Sequence, residues 1–330
     1  MPWKGEKDPY KIWISEIILQ QTRVEQGMDY YLRFIKNFPG VEDLARATDE
    51  KVFKLWEGLG YYSRCRNLLS TARFISNELG GKFPDNYEGI LALKGIGPYT
   101  AAAISSFAFN LPHAVIDGNV FRVISRLTGI KEPIDSTAGK KIFTGIANEW
   151  LDKKKPGSYN QAIMDFGATI CKPQLPLCRD CPFQADCYAY NKGQVMQLPV
   201  KAKKQKLKNR YFYYFLLHYK KEKAVSLREK KDIWQGLYEF PLIETPERTD
   251  STALIKMAEK KGWLKKGSYR IIKISSLYKQ TLSHQKLEGC FLELELMEKP
   301  ASRDWNWVSD SIIRKLAFPR FINHYLRPGT

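Results

Sequence analysis

The sequence predicts a multidomain protein: an all-α domain over residues 1–194, a basic linker over 195–210 and an α+β domain over 211–330. Three observations predict it. Residues 1–190 carry helix starts and helical apolar spacing but no convincing strand. Four of the six cysteines crowd between Cys171 and Cys187. From Tyr211 onward the pattern changes to short β-rich runs. A length of 330 residues suits two domains, and a hydrophobic content of 44% suffices for a core in each.

The first helix starts at Asp8-Pro9-Tyr10 and is expected to run from Tyr10 to Val24, with Trp13, Ile14, Ile17 and Ile18 as its apolar part. Glu16 and Gln20 lie one turn apart on it. The neighbours of Glu16 are mostly apolar, which would desolvate its carboxyl and raise its pKa; a solvated helix face is the alternative. Short helices follow over residues 29–82, separated by Pro39-Gly40, Gly58-Leu59-Gly60 and Gly80-Gly81. The segment GLGYYSRCRNL joins two tyrosines to Arg64 and Arg66 at a glycine-bounded turn. That suits stacking on bases and pairing with phosphates, or equally a buried aromatic beside two surface arginines.

The stretch from Leu91 to Arg122 organises the rest of the chain. Gly95 and Gly97 allow a tight turn, Pro98 suits a first helical position, and Thr100–Phe109 reads as a helix whose Ala101–Ala103 permit close packing. A tight turn feeding a helix start presents bare N–H groups, an anion site that a DNA phosphate would fill; an ordinary helix–turn–helix joint has the same pattern. Asp117 is a favoured N-cap, and a carboxylate held by helix N–H groups would stay ionised near neutral pH. Further helices are expected over Val120–Leu127, Gly139–Leu151 and Asn160–Ile170.

The cysteines Cys171, Cys178, Cys181 and Cys187 read C-x6-C-x2-C-x5-C, a metal site of four thiolates that zinc or an iron–sulfur cluster could occupy. Cys65 and Cys290 stand apart. Beyond the linker VMQLPVKAKKQKLKNR, strands are expected over Tyr211–Tyr219, Ala224–Leu227, Trp234–Pro241, Ile271–Tyr278 and Cys290–Met297. Helices are expected over Ala253–Lys261 and Ser311–Leu326, the latter broken at Pro319. Lys and Arg number 53 against 35 Asp and Glu, a net charge of +18 that points to a polyanion, nucleic acid first and an anionic membrane surface second. No apolar run is long enough to span a bilayer and no signal-peptide core is seen, so an intracellular, cytoplasmic protein is expected.

These segments carry a family likeness. WISEIILQQTRV, GLGYYSRCRNL, LKGIGPYTAAAI, VIDGNVFRV and the cysteine loop resemble, in order, the helix–hairpin–helix DNA glycosylases of the endonuclease III superfamily. The MutY-type adenine glycosylases are the nearer match. IWQGLYEFP and TLSH resemble that family's Nudix-like C-terminal domain, so the likeness spans nearly the whole chain. It implies removal of adenine mispaired with 8-oxoguanine or guanine in double-stranded DNA, by a monomer. Glu16 matches the general acid, Asp117 the carboxylate that stabilises the sugar cation, and Asn119 the residue that orients it. Gln21 and Tyr61 match residues inserted near 8-oxoguanine, Lys94, Gly95 and Gly97 lie at the phosphate-binding turn, and Ser283 and His284 match the 8-oxoguanine reader. Trp3 and Gln161 fall in the adenine pocket. The likeness favours a 4Fe–4S cluster over zinc, in a structural role.

Bifunctional relatives hold a Schiff-base lysine after the Gly-x-Gly turn, where this chain has Tyr99, and this implies a monofunctional enzyme that leaves an abasic site. No glutamate-rich metal helix of a Nudix hydrolase occurs in ALIKMAEKK, so the second domain is expected to read rather than hydrolyse. Two departures stand out: family members carry a helix ahead of the Leu-Pro-Trp motif where this chain opens at Met1-Pro2-Trp3, and Leu282 replaces an aromatic or Thr, which implies a weaker 8-oxoguanine preference. A bifunctional lyase for oxidised pyrimidines and a non-catalytic DNA-binding protein are the competing readings.

Overall fold

The computed structural model describes residues 4–20, 24–202, 207–300 and 305–327. The chain divides into two compact units, one of Met1–Arg46 and Arg66–Lys204, the other of Ala47–Cys65 and Gln205–Thr330. In the described residues before Lys208 there is no strand, as expected of an all-α domain.

Helices α1 (Pro9–Leu19), α2 (Val24–Asn37), α3 (Val41–Arg46), α4 (Asp49–Trp56), α5 (Tyr62–Glu78) and α6 (Tyr87–Leu91) precede the central stretch. Helix α1 ends at Leu19 rather than continuing to Val24, because Gln20 leaves the helical region with ψ 113°. Asp8 caps it by accepting from the Tyr10 N–H. Its residues Tyr10 and Ile12–Ile18 are all buried, so it is a core helix with no solvated face. The central helices are α7 (Pro98–Phe109) and α8 (Gly118–Thr128), followed by α9 (Thr137–Trp150), α10 (Pro156–Thr169) and the short α11 (Tyr188–Asn191). Helix α7 buries Thr100–Ser106 and packs against α1, α6 and α10. The residues Ile134, Asp135, Leu198, Val200 and Ala202 tie the start of the basic segment to this unit: Ile134 N donates to Val200 O at 3.1 Å and Ala202 N to Asp135 Oδ1 at 2.9 Å.

The second unit is a mixed sheet of β1 (Lys208–Tyr219), β2 (Glu222–Leu227), β3 (Tyr238–Glu239), β4 (Leu242–Thr245), β5 (Tyr269–Ile274), β6 (Tyr278–Thr281), β7 (Gln285–Leu296) and β8 (Asn306–Ser309). Helix α12 (Ser251–Lys260) packs on it, with α13 (Asp310–Ile313) and α14 (Arg320–Leu326) after it. The order is β3-β2-β1-β7-β5, with β4 on β1, β6 on β7 and β8 on β2. The central β1–β7 pair is parallel and the other pairings are antiparallel. Strand β1 buries the continuous run Phe212–Leu217, as a strand covered on both faces does, whereas β7 alternates buried Leu287, Phe291, Leu294 and Leu296 with the less buried Glu288, Glu293 and Glu295.

Several expectations need correcting. Trp234–Pro241 is not one strand: Trp234 and Gly236 have φ 64° and 86°, so the chain turns there and only Tyr238–Glu239 pairs. Ile271–Tyr278 is split between β5 and β6. Arg210 is not linker but part of β1, buried and ion-paired. Residues 47–65, assigned by sequence to the first domain, group with the second unit. There Glu57 Oε1 accepts from Phe318 N and Asn323 Nδ2 at 3.0 and 2.9 Å, and Lys54 Nζ donates to Leu316 O at 2.8 Å.

Candidate active site

Glu16 lies at the middle of α1 with 6% of its surface exposed. Its Oε2 accepts from the Tyr99 hydroxyl at 2.7 Å. Burial pushes its carboxyl up to about 7, against the pull of the Tyr99 bond and with a further upward push from the charge of Asp117. The apolar neighbours that suggested desolvation in the sequence are therefore the dominant influence.

Asp117 caps α8. Its Oδ1 accepts from the N–H groups of Asn119 and Val120, both at 2.8 Å, and its Oδ2 accepts from Asn119 Nδ2 at 2.8 Å. Burial is the largest influence on this carboxyl and raises it, while the Val120 and Asn119 bonds and the Arg122 charge act downward. The helix N–H groups act in the expected direction, but they do not outweigh burial.

Two residues that the sequence reading did not single out complete this corner. Arg122 Nη2 donates to Asn119 Oδ1 at 2.7 Å and to Gly167 O at 2.6 Å, and its Nε donates to Cys171 O at 2.7 Å. Gly167 permits this: a Cβ there would stand 2.7 Å from Asn119 Cβ, so only glycine lets α10 pass so close to α8. The i,i+3 spacing of Asn119 and Arg122 was the available signal.

Glu16, Tyr99, Asp117, Asn119 and Gln161 line one cavity of about 690 Å³. The two carboxyls, a hundred residues apart in sequence, therefore face a common space. Gln161 Nε2 donates to Asp165 Oδ1 at 2.9 Å, and Lys4 Nζ to Asp165 Oδ2 at 2.6 Å. Trp3 and Gln21 lie outside the described residues.

Such a cavity, with one carboxyl held near neutrality and one anchored by amide donors, suits the cleavage of a glycosidic bond. The HhH-GPD superfamily base excision DNA repair pattern matches residues 14–147, and the NUDIX domain pattern matches residues 213–327. The adenine DNA glycosylase of Buchnera aphidicola subsp. Baizongia pistaciae is 36% identical over 290 residues, covering 87% of this chain and 79% of that protein. This chain belongs to the adenine DNA glycosylase family. The mouse adenine DNA glycosylase is 43% identical over 211 residues, which span 60% of this chain and 41% of the mouse protein. A solved thermostable thymine-DNA glycosylase superposes with a TM-score of 0.54 at 32% identity, over 58% of this chain and 88% of that one. The chain is thus a base-excision-repair glycosylase that acts on DNA.

In this glycosylase the turn before α7 differs in detail from the sequence reading. Gly95 has φ 82°, and a Cβ there would sit 2.6 Å from Asn67 Cβ, so glycine is required. Gly97 has φ −99° and open space around it, so its backbone, as N-cap of α7, matters rather than its lack of a side chain. Lys94 is exposed, and its carbonyl accepts from Thr71 Oγ1 at 2.8 Å. In the second unit Tyr61 adopts φ 48°, a left-handed conformation that costs a non-glycine residue energy, and its hydroxyl hydrogen-bonds Ser283 Oγ. Ser283 and His284 are exposed at the turn between β6 and β7.

Cys171, Cys178, Cys181 and Cys187 line one small cavity with the guanidinium of Arg126. Arg126 Nη1 lies 3.4 Å from Cys171 Sγ and 2.8 Å from Lys172 O. As the sulfurs stand, no group of three or more candidate ligands among the described residues is gathered to hold a single ion. The four cysteines nevertheless border one cavity with Phe166 and Val195, and four thiolates are a donor set that suits zinc or an iron–sulfur cluster. No helix of the described residues is long and apolar enough to cross a membrane.

Proposed function

We propose that this glycosylase removes adenine mispaired with 8-oxoguanine or guanine in double-stranded DNA by hydrolysis alone, leaving an abasic site. The observation that carries this reading is the pair of unlike carboxyls on one cavity. The adenine nucleotide leaves the stack and enters that cavity. Tyr99 donates to Glu16 Oε2, so the transferable proton of Glu16 sits on Oε1. That proton passes to the adenine as the bond between N9 and C1′ breaks, and the base leaves neutral. Positive charge develops on the sugar ring, and the Asp117 carboxylate, fixed by two backbone N–H groups and Asn119, stabilises it. Water then adds to C1′ and passes its proton to the Glu16 carboxylate left by the first step, which restores the acid.

Monofunctional action is supported by Tyr99 at the position of the relatives' lysine. Among the described residues the lysines that line the cavity are Lys4 and Lys7, and both are engaged: Lys4 with Asp165 and Lys7 with Phe107 O at 3.0 Å. Tyr61, Ser283 and His284 are proposed to read 8-oxoguanine, Gln21 is proposed as a further DNA-inserting residue on the family likeness alone, and Lys94 and the α7 N-terminus are proposed to hold phosphate. Trp3 and Gln161 contribute to the adenine pocket. The glycosylase and reader functions are proposed to belong to the two units, with Arg210 and residues 47–65 counted to the second, in a monomer. The four cysteines would hold a 4Fe–4S cluster, which keeps its loop folded beside Arg126; the cluster takes no part in bond cleavage.

The test is an 8-oxoguanine:adenine duplex incubated with protein and then treated with alkali. Strand cleavage at the adenine only after alkali is expected, with no covalent adduct on borohydride treatment. An adduct, or cleavage without alkali, would show lyase chemistry; no base release from protein with its metal site filled would leave a DNA-binding protein.

A further inference from the structure

The Arg210 guanidinium uses all five of its N–H groups. Nε and Nη2 clamp Glu244 at 2.7 and 2.8 Å, Nη1 and Nη2 clamp Asp232 at 2.9 and 2.8 Å, and Nη1 also donates to Gln285 Oε1 at 3.1 Å. Its plane lies over the Phe212 ring at 4.7 Å. Arg228 closes the cluster by donating to Asp232 Oδ2 at 2.6 Å and Glu239 Oε2 at 2.7 Å. Four of Arg210's acceptor contacts are carboxylates on the loop before β3 and on β4. The fifth, Gln285, is the first residue of β7 and directly follows Ser283 and His284. The same turn is held by two backbone bonds, Leu282 N to Gln285 O at 2.8 Å and Lys208 N to His284 O at 3.1 Å.

We propose that Arg210, acting through Gln285, is the positioning residue that sets the Leu282–His284 turn for base selection opposite the adenine. This rests on the reading of Ser283 and His284 as the 8-oxoguanine reader. The turn is short, with Ser283 and His284 exposed, and besides the Tyr61 hydroxyl its described ties are the two backbone bonds at its ends. A rigid ionic cluster beneath it supplies the footing, as outer-shell partners do for other recognition groups. The difference to be read is small: 8-oxoguanine offers an N–H and a carbonyl where guanine offers a lone pair and a C–H. Hydrogen-bond selection of that kind depends on donor placement.

The experiment compares single-turnover excision from 8-oxoguanine:adenine and guanine:adenine duplexes for the full chain, Gln285→Met and Gln285→Glu. Methionine keeps the length without the acceptor, and glutamate keeps the acceptor. The preference for 8-oxoguanine is expected to fall about tenfold in Gln285→Met and to return to within about twofold of wild type in Gln285→Glu. In a Ser283→Ala background Gln285→Met should add less than about twofold, because the two residues act as one unit. A preference unchanged in Gln285→Met, an equal loss on both duplexes, or a Gln285→Glu protein as impaired as Gln285→Met would overturn the inference while leaving the reader reading intact. Equal wild-type rates on the two duplexes would overturn the reader reading, and this inference with it.

Discussion

In the N-terminal unit Glu16 is buried against a tyrosine hydroxyl and a second carboxyl, whereas in the C-terminal unit Asp232 is half-buried between two arginines. Burial wins at Glu16 and carries it to about 7. Counter-charge wins at Asp232: the Arg210 bonds hold it well below the usual carboxylate range despite desolvation. Glu239 lies between these cases, since Arg228 pulls it down but burial still raises it. A desolvated acid with no cation beside it is a poor stabiliser and a good proton donor near neutral pH. An acid clamped by arginine cannot give up or take a proton there, and its value is architectural.

The largest way to break this contrast is Glu16→Gln. The amide keeps size and can still accept from Tyr99, but it has no proton to deliver. A general acid contributes about 10²–10⁴-fold to a rate, and excision should fall by that order while duplex binding persists. Single-turnover excision alongside a binding titration checks both. Retained excision would remove Glu16 from the chemistry and make it merely a buried core acid. The sign of its linkage also follows. Because its folded value is above the ordinary 4.5, its contribution to stability is complete below about 4.5 and is lost as pH rises through about 7.

In the other region the corresponding break is Arg210→Met, which leaves Asp232 and Glu244 without their shared cation. Removing one partner of a buried pair costs about 3–5 kcal/mol. Asp232 and Glu244 side chains are 30% and 40% exposed, so solvent screening reduces that to about 2 kcal/mol. Denaturant unfolding should show the loss in the transition of the C-terminal unit, and a change in the adenine-cleaving cavity without that loss would contradict the division of roles. The Asp232 contribution has the opposite sign to that of Glu16: it is present above the ordinary aspartate value of 3.8 and disappears as pH falls below it.

Much of the first region was legible because its signals are local. Asp117 and the helix it caps are adjacent in sequence, and the apolar neighbours of Glu16 lie on its own helix. The partners that hold these residues were not legible in the same way. Arg122 reaches Cys171 O and Asp165 joins Gln161 to Lys4 only when α8, α10 and the N-terminal segment are packed. In the second region the decisive contacts are long-range throughout. Arg210 sits in a run of lysines and reads as linker, yet its counter-charges come from Asp232 and Glu244. The aromatic run from Trp234 reads as strand until Trp234 and Gly236 take positive φ. Nothing near Glu57 announces that Phe318 and Asn323 will bond to it.

The smallest expected effect sharpens the account of Glu16. The Tyr99 hydrogen bond is the influence that lowers this carboxyl, since burial and Asp117 both raise it. In Tyr99→Phe that lowering is lost, so the Glu16 pKa should rise above its present value. The protonated, proton-donating form would then persist to higher pH, and the alkaline limb of kcat/KM, which reports groups of the free enzyme, should move upward. A hydrogen bond to a charged group contributes about 1.5–3 kcal/mol, which sets the upper bound on the displacement. The rate on the acid side should change little from this cause, because there the carboxyl is already protonated and the limb belongs to Asp117, which must lose its proton to act. Tyr99 is also raised well above the ordinary tyrosine value by burial, so it remains a donor across the whole range and adds no limb of its own. A limb that stays in place, or moves toward acid, would mean that the proton delivered to adenine does not come from Glu16.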